Sequence, residues 1–327
     1  MSTVSIEGPD GFVAAIPFLL GVHPRRSLII SGLNLDGRVK WTMYLELPAI
    51  EPLDVDPSQL VAALAQHQPD RVLMAIVDDR AFDPDCPVDH LEVVDALTAE
   101  FADRAIMVQH VVWAEATTPG ARCCTDTEQG VVPDAGASPL AVSRVLAGRV
   151  TYPDWETLAA EFSPSESEAI ERRQDLLVET PCPSSADAVH AIREAIYQAV
   201  KGRLPTSDNE LAAAAVALTH PHGFSCALQS TADQPGPVRE LWIALTRALP
   251  APWNADPAAL AALATYLAGQ ASIAVVGVLL DLAEKAEPGH GLVDVLRPAA
   301  GSGMRPEPLI AAVRELAEQL SVIPGED

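Results

Sequence analysis

At 327 residues the chain can bury a full hydrophobic core and divide into two domains of about 100 to 200 residues each. Its formal charge of −24 and its three lysines, Lys40, Lys201 and Lys285, argue against nucleic acid and anionic membrane surfaces, which are held by clustered cations. Five cysteines with no CxxC pair form neither a disulfide framework nor a zinc template, so no metal or other cofactor is expected, and a reducing, cytoplasmic setting is.

From Asp10 onward, Phe12, Ala15, Ile16, Leu19 and Leu20 have helical spacing, with Pro17 demanding a kink or a late start. Gly21 supplies a left-handed cap, and the residue before Pro24 is pushed to extended geometry. Leu28 to Leu33 reads as a buried strand. Asn34-Leu35-Asp36-Gly37 is turn chemistry, and Val39 to Leu47 alternates as a second strand, giving an antiparallel hairpin. Asp56-Pro57 starts a short helix, Arg71 to Val77 is a continuous apolar strand, Val88 to Phe101 is helical, and Ala105 to Trp113 is another strand. Strands alternating with helices at this spacing imply right-handed crossovers and a parallel section of sheet.

Thr117 to Pro139 has no period and reads as a long loop. Leu140 to Leu146 and a stretch starting at Pro153-Asp154-Trp155 are short helices. Every later periodic segment is helical: Glu166 to Val178, Ser185 to Val200, Asp208 to Leu218, Pro237 to Leu249, Pro257 to Ala268, Ser272 to Ala286 and Pro306 to Leu320. Ser207 with Glu210 makes a capping box. The expected architecture is an α/β domain over 1–163, a mixed sheet with an N-terminal hairpin and a parallel βαβ part, followed by an all-α helical domain over 164–327. Ser163 to Ser167 reads as a hinge. Within the second half, Leu260, Leu263, Ala264, Leu267, Val276, Leu280, Ala283 and Pro288 partly match the tetratricopeptide template, so one repeat-like helical hairpin is expected at 257–290. No second copy follows.

The segment Ile16-Pro17-Phe18-Leu19-Leu20-Gly21-Val22-His23-Pro24, followed by Ser27-Leu28-Ile29-Ile30, resembles the opening of an actinobacterial family known as domain of unknown function 4192. Leu241 to Arg247, Ala264 to Ala271 and Glu287 to Leu292 are similar to that family's ending. The resemblance spans nearly the whole chain and implies no activity. Relatives in this family carry a tryptophan-rich stretch and cysteines followed by prolines in the middle loop, whereas Cys123-Cys124 here precedes Thr125-Asp126-Thr127. If those cysteines hold a metal or a redox function in relatives, the difference implies that this chain lacks it.

His23 with Arg25, Arg26 and Ser27 can form an anion pocket through forked arginine donors, but the neighbouring helix end is a C-terminus, whose dipole repels anions. The alternative has His23 packed beside Pro24 and the arginines in solvent. Asp78-Asp79-Arg80 ends a parallel strand, where open α/β sheets bind ligands and adjacent carboxylates can hold a magnesium ion or share a proton, and the tract Asp83, Asp85, Cys86, Asp89, His90 matches no calcium loop. His110, Trp113 and Glu115 lie toward the end of the next strand and face the same crevice or the core. Cys123-Cys124 beside Arg122 is a reactive pair or two ordinary loop cysteines. His220-Pro221-His222 with Cys226 lacks a fourth metal ligand and reads as loop. GxGxxG opening a helix, GxxxxGK[ST], GxSxG and HExxH are all absent.

Two functions follow. The first is a non-enzymatic protein-interaction or scaffold module, whose repeat-like hairpin presents an apolar groove to a protein partner or a second subunit, without nucleic acid or membrane. The second is a small-ligand-binding protein or enzyme using His23, Arg25, Asp78, Asp79 and His110 at the strand ends.

Overall fold

A computed structural model describes residues 8–47, 56–79, 90–146, 149–164, 167–269, 273–301 and 304–322. The described residues fall into two units that part between Thr157 and Leu158, earlier than the boundary expected at 163. Of the stretch read as a hinge, residues 165 and 166 lie outside those described.

In the first unit, helix α1 (Gly8–Leu20) holds Pro17 in its last turn, where the ring removes one backbone bond shortly before the helix ends. Gly21 follows at φ +89° and donates to the Pro17 carbonyl at 2.7 Å, so the left-handed cap is glycine's contribution. Strand β1 (Ser27–Leu33) is buried along its whole length and pairs antiparallel with β2 (Val39–Glu46), Ser27 opposite Glu46. Asn34 closes the hairpin by accepting the Arg38 N–H on its side chain at 2.8 Å. Helix α2 (Pro57–Ala65) begins at Asp56, whose carboxylate accepts from Ser58 N, and carries the chain over β1 to β3 (Arg71–Val77). Helix α3 (Leu91–Asp103) then crosses to β4 (Met107–Ala114), which lies parallel to β3. Val88 and Asp89, expected to begin α3, lie outside the described residues.

The long loop expected after Thr117 instead contains a small hairpin. Strands β5 (Arg122–Cys124) and β6 (Gln129–Val131) extend the sheet, whose order is β2-β1-β3-β4-β5-β6 among the described residues. Three-residue strands carry no readable alternation; the open edge of β4 recruits them through Trp113 opposite Cys124. On one face of the sheet, Leu28, Ile30, Val72, Met74, Ile76 and Trp113 pack with Val61 and Leu64 of α2 and Val94, Leu97 and Phe101 of α3. The other face is covered by α1, which buries Phe12, Val13, Ile16 and Leu20. Helices α4 (Pro139–Leu146) and α5 (Trp155–Ala160) follow, and Trp155 stacks on Tyr44 with ring centroids 4.6 Å apart.

The second unit is helical throughout its described residues: α6 (Ser167–Glu179), α7 (Ser185–Val200), α8 (Asp208–Thr219), α9 (Pro221–Asp233), α10 (Pro235–Ala248), α11 (Ala255–Leu267), α12 (Ile273–Ala286), α13 (Gly291–Gly301) and α14 (Pro306–Ser321). The capping box of α8 forms with both of its bonds, Glu210 N to Ser207 Oγ and Ser207 N to Glu210 Oε2. The 220–226 stretch is helix rather than loop. Pro221 occupies the first turn of α9, where its lost N–H is not needed, and His220 Nδ1 caps the helix by accepting from His222 N. Helix α13, with Pro298 inside it, also has no counterpart in the expected segments.

Helices α11 and α12 pack along one another over the stretch expected to resemble a repeat hairpin. The expectation that this hairpin presents an apolar groove does not hold, because α11 is buried all round and touches α9, α10, α12, α13 and α14. A helix apolar on every side belongs at the centre of a bundle, and its alanines let five neighbours approach closely. Trp242 of α10 is fully buried beside it, with its indole N–H donating to Thr231 Oγ1 at 2.9 Å.

One charged contact ties α11 to α13. His290 Nε2 lies 3.0 Å from Asp256 Oδ1 with the imidazole buried. Burial opposes the charged ring, but the hydrogen bond and charge of Asp256, with Glu287, outweigh it and raise His290 above its ordinary value. The pair therefore stabilises fully below the unfolded value of about 6.5, and that contribution is lost as pH rises through the higher folded value. The difference in urea midpoint between wild type and His290→Gln is expected to shrink from about pH 6 to about pH 8.5. A difference that stays constant or grows with pH would contradict a protonated pair.

Candidate functional site

At the carboxyl ends of β3 and β4 the sheet gathers several of the candidate residues. Asp78 follows β3, is 8 % exposed, and donates its backbone N–H to Ala114 O at the end of β4. Its Oδ2 lies 3.6 Å from Nε2 of His90, the residue that opens α3 in a left-handed conformation at φ 65°. Because β1 runs antiparallel, Ser27 sits opposite Val77, and this places Arg25 and Arg26 at the same end of the sheet. Arg26 is left-handed at φ 47°. His23 is bridged to the stretch before α5 by its N–H on Tyr152 O, and its Nδ1 lies 2.8 Å from Thr117 Oγ1 just beyond β4. Burial pushes the His23 imidazole below its ordinary value, so it is neutral near pH 7.

The other candidates separate from this end. Asp79 is exposed while Asp78 is buried, so the two carboxylates do not form one paired site. Arg25 is exposed. An irregularity in the pairing of β3 with β4 shifts the register at Gln109 and sets His110 opposite Leu73. That position is four residues short of Val77, or about 13 Å along the strand, which removes His110 from the strand-end crevice. His90 is the residue sequence reasoning passed over. It sat inside an acidic tract read only for calcium spacing, although a histidine opening the helix after a parallel strand points back at that strand's end.

Neither cysteine reading gains chemistry. Cys123 and Cys124 are buried in β5 around a cavity of about 130 Å³ shared with Asp10 and Glu128. Burial, then the charge of Asp10, pushes the Cys123 thiol up to about 11, and Arg122 directs Nε at Glu115 Oε2, 3.2 Å away. A protonated thiol is a poor nucleophile. Among the described residues, no group of three His, Cys, Asp or Glu side chains is placed to hold a metal ion. No single helix among them is long and apolar enough to cross a membrane.

A larger concavity than that beside the cysteines lies in the helical unit. One face of α7 (His190, Ala191, Glu194, Ala195, Gln198), the connection Arg203 to Thr206, and Glu210, Ala213 and Ala214 of α8 enclose a groove of about 630 Å³. That is the size of pockets that bind organic ligands or short peptide segments. Its floor is alanine because α7 and α8 cross closely, and Leu204 and Pro205 form an apolar wall. The rim is polar but largely satisfied from within. Arg203 donates to Gln198 Oε1 and Gln198 to Glu194 Oε1, while Glu210 accepts from Thr206 N at 3.2 Å and Ser207 Oγ at 2.8 Å. The Ser207 bond, then the two backbone N–H groups, hold the Glu210 carboxyl below its usual range. His190 and Glu194, one turn apart on α7, also line the groove. Its geometry suits binding by shape and apolar contact.

Comparison with known proteins matches residues 9–307 to a family described as domain of unknown function 4192. No curated protein matches the chain. No solved structure matches it either.

Proposed function

Since the chain belongs to the family described as domain of unknown function 4192, whose description names no activity, we propose its function from geometry: a non-enzymatic interaction module whose helical unit receives a segment of a protein partner in the α7–α8 groove. The observation that carries this reading is the groove itself, large and floored by alanine, with rim polar groups already bonded to one another. Such a surface gains affinity by covering apolar area. Cysteine usage supports a reducing, cytoplasmic setting.

A second reading, a small-ligand site at the strand ends, draws on the buried Asp78–His90 pair. Capture from the native cytoplasm, scored for both proteins and retained small molecules, separates the two. Under the first reading one protein partner is retained by wild type and by Asp78→Asn, and Ala213→Trp, which fills the groove from an exposed position, lowers its recovery at least about tenfold, the equivalent of about 1.4 kcal/mol. Retention of one metabolite, lost with Asp78→Asn and unaffected by Ala213→Trp, would replace the first reading by the second.

A further inference from the structure

His220 is a buried titratable group outside both candidate sites, and it stands where its charge state decides a helix end. It is 7 % exposed and lies in extended backbone between α8 and α9. Its Nδ1 accepts the His222 N–H at 3.2 Å, the bond that a serine or aspartate oxygen accepts at other helix starts. An imidazole that accepts through Nδ1 carries its one proton on Nε2, and here Nε2 lies 3.5 Å from Ser185 Oγ at the start of α7. The neutral ring thus holds α9 with one nitrogen and α7 with the other. A second proton leaves the Nε2 contact in place but ends the cap, because an Nδ1–H would face the His222 N–H. It would also set positive charge at the positive end of the α9 dipole.

We propose that His220 is an acid-sensitive latch: proton uptake by its ring opens the start of α9 and loosens the hold of that segment on α14. The segment includes Ser225, which is 3 % exposed and donates through Oγ to Ala317 O at 2.7 Å. Helix α14 packs mainly on α9 and more lightly on α11, so it depends on this contact for its seat.

Charged groups around the corner do not replace the cap. Helix α8 has no titratable residue after Glu210. On α7, Asp187 is engaged by Ser184 Oγ at 2.8 Å; on α10, Arg239 and Glu240 bond one another; on α11, Asp256 is held by His290. Glu318 of α14 is exposed, and none of these carboxylates pairs with His220 among the described residues. On α9 itself, Cys226 lies further along the helix, and the His222 ring centroid is 5.3 Å from that of His220, where a second charge is repelled. The opened corner accepts a proton that the capped one excludes. The contribution of the cap is therefore present above the range in which histidine titrates and is lost as pH falls through it. The His290–Asp256 pair runs the other way and is strongest in acid.

Hydrogen exchange of the full chain at about pH 7.5 and about pH 5.5, above the carboxylate range and corrected for intrinsic rates, tests the latch. Protection of peptides covering 221–226 and α14 is expected to fall about tenfold at the lower pH, the effect of losing one helix cap, while α11 keeps its own. His220→Asn and His220→Ser, each with a cap oxygen that does not titrate, are expected to be equally protected at both pH values, and His222→Gln to respond as wild type does. Wild type with unchanged protection in acid overturns the proposal. So does a loss that persists in both His220 variants, or one that His222→Gln abolishes.

Discussion

Gly223→Ala is expected to destabilise the helical unit by about 2 kcal/mol, although glycine to alanine inside a helix ordinarily gains about 1 kcal/mol. The sign is set by how tightly α9 leaves α8. The two helices bend by 99° across His220, and a Cβ at position 223 would stand 1.9 Å from the carbonyl oxygen of Ala217, 2.9 Å from its carbon and 3.4 Å from Cβ of Ala188. The obstruction is helical backbone, so no rotamer relieves it. Moving Ala217 O also disturbs the bond it accepts from His220 N, and with it the residue that caps α9. Relief requires α9 to shift against α7 and α8, and α9 also holds α14 through Ser225 Oγ on Ala317 O at 2.7 Å. Urea denaturation followed by hydrogen exchange is expected to show lower protection across α7, α8, α9 and α14. A variant as stable as wild type would mean that the corner is not as close as described.

The second large effect is expected in the α/β unit. Arg144→Met keeps most of the side-chain volume but removes two charge-assisted hydrogen bonds and leaves the Phe18 and Val150 carbonyls without that donor. Bonds to charged groups contribute about 1.5 to 3 kcal/mol each, so a loss of about 2 to 4 kcal/mol is expected after the arginine's own desolvation is set against it. That desolvation is real, since burial, and then the nearby Arg149, lowers the Arg144 pKa from its ordinary value. Arg144→Lys is expected to recover only part of the loss, because a single ammonium is a point donor without the fork that spans two carbonyls. Exchange protection of peptides covering α4 and the end of α1 reports the effect directly. Unchanged protection in Arg144→Met would show that the helix is held by packing alone.

Much of the first unit is legible in the sequence because its signals are local. Asn34 to Gly37 is a turn in any context, the strands beside it alternate, and a buried parallel strand such as Arg71 to Val77 is simply apolar. Elements that depend on a neighbour are not legible. Strands β5 and β6 exist because β4 offers an edge. Helix α9 opens on Pro, His and Gly, which taken singly read as loop, and only His220 in its capping geometry explains them. The central place of α11 had a signal that the repeat template obscured: Ala255 to Leu267 is apolar on all sides, which an outer helix of a repeat is not.

The sites divide in the same way. Asp78 could be found because strand ends in α/β sheets are known ligand positions, and its partner His90 was missed because histidine in an acidic tract attracts a metal reading. The α7–α8 groove left no trace, since its floor is alanine and alanine carries no chemistry in a sequence. Arg144 was hidden for the opposite reason: the apolar stripe around it reads as an inward face, and tertiary bonds turn it outward. The residues that carry the family resemblance are mostly packing residues. Ile16, Leu20, Trp242, Leu245 and Ala264 are buried, and Gly21 caps α1. Family membership therefore reports the fold and leaves the chemistry to be read from geometry.

Whether the α7–α8 groove holds a protein segment is tested most directly by a photoreactive amino acid placed at Ala213, on the groove, and at Glu171, exposed on α6, in the full chain expressed in its own cells. Irradiation is expected to give one discrete adduct to a protein at position 213 and none at position 171. No adduct at position 213, or the same adducts at both positions, would contradict a partner seated in the groove.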